Sequence, residues 1–151
     1  MRCRFTVVKR EGTITMIRTY SELISLPSLE ERFEYLKLQG EVGQETFGFD
    51  RYINQRFYRS LEWLRTRDYV IVRDHGCDLA DRNYEIKGRI LIHHMNPVTK
   101  EDLENDPESV LDPNNLVCVS LTTHNAIHFS DKTLLPVLPI TRSKNDTCPW
   151  L

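Results

Sequence analysis

Two short stretches decide the fold of this 151-residue chain: residues 90–97, ILIHHMNP, and residues 115–128, NLVCVSLTTHNAIH. Each contains a short apolar run that is typical of a β-strand. An Asn-Pro pair ends the first run, and a pair of threonines after the second run opens a short helix. The predicted order is therefore strand, loop, strand, helix, and it brings four of the five histidines into one segment.

The histidines of these stretches have spacings that suit a single metal site. His124 and His128 are four residues apart on the predicted helix, so both point to one face and can hold one ion. His93 and His94 are neighbours on a strand, where consecutive side chains point to opposite faces. One of them can join the helix pair while the other faces the substrate. Three imidazoles on an open metal site, beside a free imidazole that deprotonates water, form a hydrolytic arrangement.

The residues alone leave two kinds of metal site open. The same spacing also fits a purely structural zinc site, and nothing in it separates structural from catalytic metal. Asn115, at the start of the second strand, can orient either the loop or the free imidazole through its amide. The four cysteines are scattered and include no C-x-x-C pair, which argues against a disulfide framework or a four-cysteine zinc site.

Charge is segregated along the chain although the net charge is only −2. Residues 51–73 carry six arginines against two acids, a balance of +6 − 2 = +4, and residues 101–112 carry six acids and no base. Such a pattern can aim a basic face at a polyanion, although two ordinary solvated faces would look the same. The acidic segment is predicted to be a solvent-facing loop. Phosphate contacts are expected from the arginines as a group, chiefly Arg51, Arg56, Arg59 and Arg65.

The pattern predicts one α+β domain with a helical N-terminal half. Its parts are an extended arm over 1–20, a helical region over 21–75, the strand–strand–helix motif over 76–131 and a Pro-rich extended tail over 132–151. An S-x-x-E capping box at Ser28 predicts a helix near 28–39 that ends at Gly40. Further helices are expected near 50–58 and 60–73, although YVIV in the second would by itself favour a strand.

Composition and the N-terminal residues predict a cytoplasmic location. No apolar run approaches the roughly 18 residues of a membrane span. The first residues have no continuous apolar core of the kind found in a secretory signal. We therefore expect a reducing compartment and no membrane association.

The assembled motif resembles the HNH endonuclease family. That family's ββα-metal motif has a paired Asp-His or His-His ending the first strand, Asn-Leu opening the second, and one or two histidines on the helix. The resemblance implies that His93, His124 and His128 bind one divalent ion, that His94 is the general base, and that Asn115 orients the site. The double histidine and the H-x-x-x-H spacing are also similar to those of the nuclease colicins.

The resemblance covers roughly residues 60 to 130 and has one departure. Many family members carry two C-x-x-C pairs that bind a structural zinc beside the active site. Here the first pair becomes Cys77-Asp78-Leu79-Ala80, and the second falls on Ser120 and Thr123, so three of the four cysteines are missing. We therefore expect no structural zinc, with ordinary packing holding the motif.

The resemblance implies a metal-dependent endonuclease that hydrolyses double-stranded DNA, by a nick or a double-strand break. The identity of the ion stays open among Mg, Mn, Zn and Ni, although imidazole ligands suit zinc, nickel or manganese and magnesium prefers oxygen. By analogy with free-standing phage HNH proteins, a viral origin, the host cytoplasm and phage packaging or other protein partners are further expectations. The alternatives are a non-catalytic nucleic-acid-binding or phage assembly protein on the same scaffold, and a structural zinc module.

Overall fold

The computed structural model describes residues 7–10, 13–37 and 51–138. The helices of these ranges are α1 (Tyr20–Ser25), α2 (Leu29–Leu36), α3 (Arg51–Tyr58), α4 (Leu61–Arg73), α5 (Lys100–Asn105), α6 (Pro107–Val110) and α7 (Leu121–Phe129). The strands form two antiparallel pairs, β1 (Val7–Arg10) with β2 (Thr13–Met16) and β3 (Leu91–His94) with β4 (Leu116–Val119). The predicted α+β class is thus confirmed, with β3, β4 and α7 in the order that the sequence indicates.

The strand β4 is buried on both faces. Val117 and Val119 belong to an apolar cluster with α1, α2 and α7. Leu116 and Cys118 belong to a second cluster with α4. Because consecutive strand residues point to opposite faces, the continuous apolar run LVCV is explained by helices that cover both sides of the strand.

The helix α4 covers the second of these faces. Its N-cap is Ser60, whose hydroxyl accepts a hydrogen bond of 3.2 Å from the Trp63 backbone N–H. Trp63 and Val70 lie seven residues apart on the inner face and pack in the cluster with Leu116 and Cys118. This burial explains why YVIV continues the helix despite its preference for strands. The helix predicted over 60–73 is confirmed.

A buried ion pair ties the end of α4 to β4. The Asp74 carboxylate accepts from Arg73 Nε at 2.7 Å and from the Cys118 backbone N–H at 2.9 Å. The Arg73 guanidinium also lies 3.4 Å from the centre of the Tyr20 ring, and burial raises the pKa of that phenol to about 12. The Arg73 Nη atoms donate to the carbonyl oxygens of Pro113 and Leu116, at the start of β4. These contacts hold α1, α4 and β4 in one arrangement.

The N-terminal third agrees with the predicted extended arm but differs from the prediction in where its helices begin and end. The expected arm contains the β1–β2 pair, and α1 begins at Tyr20, where the Thr19 side chain caps it. The α2 N-cap is Ser28 as the capping box predicts, but the helix ends three residues before position 39. The predicted C-cap, Gly40, lies outside the described residues, as does the Pro-rich tail beyond residue 138.

The acidic segment 101–112 was expected to be a loop, and that prediction is wrong for most of it. It forms α5 and α6 because local capping outweighs the repulsion among its charges. Thr99 and Asp102 make a reciprocal capping box at the start of α5. Asp106 caps α6, with Pro107 in the first turn. In the described residues no helix is both long and apolar enough to cross a membrane.

Candidate metal centre

Three of the four clustered histidines converge on one side of β3. His93 lies opposite Val117 in the strand register, on the side that faces α7. His124 and His128, one turn apart on α7, place their ring centres 5.5 and 5.4 Å from that of His93. One ring nitrogen from each of the three lies within 4.8 Å of the others. We call His93, His124 and His128 the His triad.

The dimensions and charge state of the His triad fit a divalent ion. Two nitrogens that share a tetrahedral zinc lie roughly 3.4 Å apart, since each bond is about 2.1 Å long, so modest ring rotations would close the site. Burial, and then the neighbouring His124 and His128, hold the pKa of His93 well below its ordinary value. Burial also lowers the pKa of His124 and of His128. Neutral imidazole is the form that binds metal.

His94 points to the other side of β3, as the strand alternation predicts. It lies opposite Leu116 and stacks on Trp63 of α4, with ring centres 5.6 Å apart and planes inclined by 19°. Its Nε2 is 3.1 Å from the Val110 carbonyl oxygen. A carbonyl can only accept, so Nε2 carries the hydrogen and Nδ1 keeps its lone pair. Burial lowers the pKa of His94, which favours this neutral form.

Asn115 orients the loop that leaves β3 and has no described hydrogen bond to His94. Its side-chain oxygen accepts from the Asn96 side-chain amide at 2.7 Å and from the Asn96 backbone N–H at 3.1 Å, and its backbone carbonyl accepts from the Met95 N–H at 2.9 Å. Asn96 also exchanges two hydrogen bonds of 2.8 Å with the backbone of Arg18. The sequence leaves open whether Asn115 orients the loop or the free imidazole, and these contacts favour orientation of the loop. From the sequence, Asn96 is predicted only to end the strand together with Pro97.

Arg18 is a second residue that the sequence did not single out. Its backbone is fixed by Asn96, and its Nε donates to the Tyr35 carbonyl at 2.8 Å. Its positive charge is near enough to His93 to contribute to the lowered pKa of that ring. Among the described residues none accepts a hydrogen bond from the two Arg18 Nη atoms. The Arg18 charge thus acts on His93 from some 75 residues away in sequence, so no local motif could reveal it.

The arginines predicted to contact phosphate lie along α3 and α4. Arg56, Arg59 and Arg65 are exposed. Arg56 and Arg59 line an open pocket of about 470 Å³, together with Gln55 and Ser60. The backbone of Arg51 begins α3, and its side chain lies outside the described residues. Two of the four predicted arginines are therefore brought together at the junction of α3 and α4.

The two segments in which the cysteines are missing are joined by hydrogen bonds from Asp78. Asp78 is 2% exposed. It accepts from the Thr123 hydroxyl at 2.6 Å and from the Ser120 backbone N–H at 3.1 Å. These bonds connect the loop after α4 to the first turn of α7, one residue before His124. Ordinary polar contacts thus link the two segments that carry the zinc-binding cysteines in many HNH proteins. The absence of a structural zinc stays a prediction.

The His triad stands apart from the other titratable side chains. Across the described ranges it is the one set of three or more His, Cys, Asp or Glu groups close enough to share an ion. Cys77 and Cys118 are buried thiols, and burial raises the pKa of both. No protein-family model, curated protein or solved structure was found to match the chain.

Proposed function

We propose that this protein is a metal-dependent endonuclease of the HNH type that hydrolyses phosphodiester bonds in double-stranded DNA. The observation that carries the proposal is the distribution of the four imidazoles over the two sides of β3. Three imidazoles meet on one side of the strand, where their nitrogens lie within 4.8 Å of one another. The fourth imidazole lies on the other side with one nitrogen free to accept a proton.

The His triad would hold the ion. A divalent ion held by these residues would supply stabilisation of negative charge on the phosphate and on the leaving oxygen. Because the protein offers three imidazoles, ligand positions remain for substrate, as in catalytic rather than structural zinc sites. The neutral state of the three rings, which their lowered pKa values favour, avoids competition from protons near pH 7.

His94 is the proposed general base. Its Nε2–H donates to the Val110 carbonyl, so the lone pair on Nδ1 is available. This nitrogen takes a proton from water as the water oxygen bonds to phosphorus and the bond from phosphorus to the leaving oxygen breaks. The stacked Trp63 ring covers one face of the imidazole and restricts its rotation. Asn115 would act indirectly, by positioning the loop that leaves β3 through Asn96.

Cationic side chains would hold the DNA. Arg18 acts electrostatically on His93, and no described residue accepts from its Nη atoms, so it is suited to bind the phosphate that is cut. Arg56 and Arg59 line an open pocket on α3 and α4 and are suited to contact other phosphates. These contacts read the backbone rather than the bases, so they predict weak dependence on sequence.

A second candidate is a nucleic-acid-binding protein that does not cut. The observation in its favour is that His94 is half-buried, stacked and hydrogen-bonded, as an ordinary core histidine would be. In that case the His triad would hold a structural ion, and the exposed arginines would still bind DNA. The two candidates differ in whether DNA is cleaved and in what His94 contributes.

Cleavage of supercoiled plasmid, with and without Mg²⁺, Mn²⁺, Zn²⁺ or Ni²⁺, tests the proposal. His94→Ala should bind metal and DNA as the parent does, with cleavage slowed by at least ~10²-fold, the typical loss for a general base. His93→Ala and His128→Ala should instead lose metal affinity, and high metal concentration should partly restore their cleavage. The control is His75→Ala, which removes an exposed histidine whose described partner is Arg82.

Three results would count against the proposal. If no metal supports cleavage although DNA binds, the second candidate is favoured. If His94→Ala loses the ion while His93→Ala keeps it, the two roles are exchanged. If both variants cleave as fast as the His75→Ala control, the active site lies elsewhere.

A further inference from the structure

The outer face of α4 carries large apolar side chains in contact with solvent. Leu61 is 57% exposed, Leu64 44%, Tyr69 58% and Val72 74%. Two exposed charges, Arg65 and Asp68, lie among them, and one Asp68 carboxylate oxygen also contacts Arg67 Nη1 at 3.2 Å. With about 100° between successive residues, these six positions fall on one side of the helix, and Trp63 and Val70 lie on the other. We call these six residues the α4 stripe.

The α4 stripe is complementary to itself when read in reverse. Its members pair about the midpoint between residues 66 and 67: Leu61 with Val72, Leu64 with Tyr69, and Arg65 with Asp68. In each pair the two members are equally far from the midpoint. A two-fold axis through that point would therefore bring apolar residues level with apolar residues and each arginine level with an aspartate.

We propose that α4 packs antiparallel against α4 of a second copy of this chain. A two-fold interface uses the same patch on both subunits, so it requires this kind of self-complementarity. Leu61 of each copy would pack near Val72 of the other. Two Arg65–Asp68 ion pairs across the axis would set the register, because a shifted register would oppose a charge with an apolar side chain or with a like charge.

The composition of the α4 stripe favours a second copy over DNA or a lipid surface. Four of its six members are apolar, and its two charges cancel, whereas a DNA-binding face carries excess positive charge. A membrane-binding helix would carry a wholly apolar face rimmed by cations. Aromatic residues and arginine, here Tyr69 and Arg65, are enriched at protein interfaces.

The pairing is independent of the proposed nuclease activity and compatible with it. His94 stacks on Trp63, which lies on the opposite face of α4 from the stripe. The His triad lies beyond β3, on its α7 side. A dimer through the α4 stripe would leave both sites uncovered. It would also assign Arg65 to the interface instead of to phosphate.

Sedimentation equilibrium of the full chain over a range of concentrations tests the proposal. One helix face per copy is a small interface, so we expect a reversible dimer whose mass rises from 17.8 kDa toward twice that value. Arg65→Glu should weaken the dimer ~100-fold, because four acids would then meet at the axis. Asp68→Arg should do the same with four bases. The double variant R65E/D68R restores opposite charges and should regain most of the affinity.

A folding measurement and a control variant keep the result interpretable. Circular dichroism and cooperative melting report whether each variant folds, and Arg89→Glu is a control with the same charge change at an exposed site outside the α4 stripe. A parent protein that stays monomeric at every concentration would overturn the proposal. So would a dimer that survives Arg65→Glu, or a double variant that fails to recover. If Arg65→Glu weakens DNA binding without changing the mass, Arg65 belongs to the phosphate contacts and the proposal fails.

Discussion

Replacing Asp78 with alanine should separate the start of α7 from the loop that follows α4. The substitution removes the acceptor for the Thr123 hydroxyl and for the Ser120 backbone N–H. Hydrogen bonds to a charged acceptor contribute ~1.5–3 kcal/mol each, so two would contribute about 3–6 kcal/mol. Burial raises the pKa of Asp78 and so disfavours its charged form, which offsets part of this gain. We expect a net loss of about 2–4 kcal/mol in the free energy of unfolding.

Urea unfolding followed by circular dichroism, in the presence of EDTA, measures this loss without a contribution from bound metal. With a slope of roughly 2 kcal/mol per M for a chain of this size, the midpoint should fall by about 1–2 M. The matched control is Asp81→Ala. The Asp81 carboxylate accepts hydrogen bonds from Asn83 in its own turn, and its loss should cost about 1 kcal/mol.

Thr123→Val tests the same contact from the other side. Valine keeps the shape and removes one donor, so the cost should be about half that of Asp78→Ala. The double variant should cost less than the sum of the two single variants, because the residues share a hydrogen bond. If Asp78→Ala costs no more than Asp81→Ala, the Asp78 contacts do not hold the motif. Global unfolding of the parent in EDTA would instead indicate a structural metal.

Three further predictions concern metal, DNA and pH. Exhaustive chelation should abolish cleavage but leave helix content and cooperative melting in place, with a modest fall in Tm because a native-state ligand is lost; a cleavage rate unaffected by EDTA would argue against a metal site. Neutralising Arg56 and Arg59 together should weaken DNA binding with little sequence dependence. The slope of the logarithm of the binding constant against the logarithm of salt concentration should fall in magnitude by up to about 2. An unchanged slope would show that the surface around Arg56 and Arg59 does not bind DNA. Burial raises the pKa of Asp78 in the native state above its value in the unfolded chain. The protonated carboxyl therefore stabilises the native state, and this contribution is fully present at pH values below the unfolded pKa. It is lost as the pH rises through the native pKa. The destabilisation by Asp78→Asn should therefore shrink between acid and neutral pH, and a cost that grows with pH would show that the charged form is the stabilising one.

The sequence predicted the local structure correctly wherever hydrophobic periodicity and helix capping indicated the same element. Ser28 caps α2, as its S-x-x-E pattern predicts, and the helix predicted over 60–73 forms as α4. The run LVCV forms β4, and His124 and His128 lie on one face of a helix. Where charge obscured capping, as at Thr99 in the acidic segment, the prediction of a loop was wrong. In that segment two short helices form because capping acts on neighbouring backbone groups, while repulsion between exposed charges is weakened by solvent.

By itself, the sequence determined that His93 and His94 face opposite sides of a strand and that a pair of helical histidines can share an ion with one of them. Only the tertiary structure decided which one, because β3 must pack between α7 and α4 before its sides acquire different neighbours. The contacts of Asn96 and Arg18 are tertiary too, since they join segments 78 residues apart. Periodicity records how each segment is oriented toward a core, but the partners depend on how the segments meet, and that is set by packing over the whole chain.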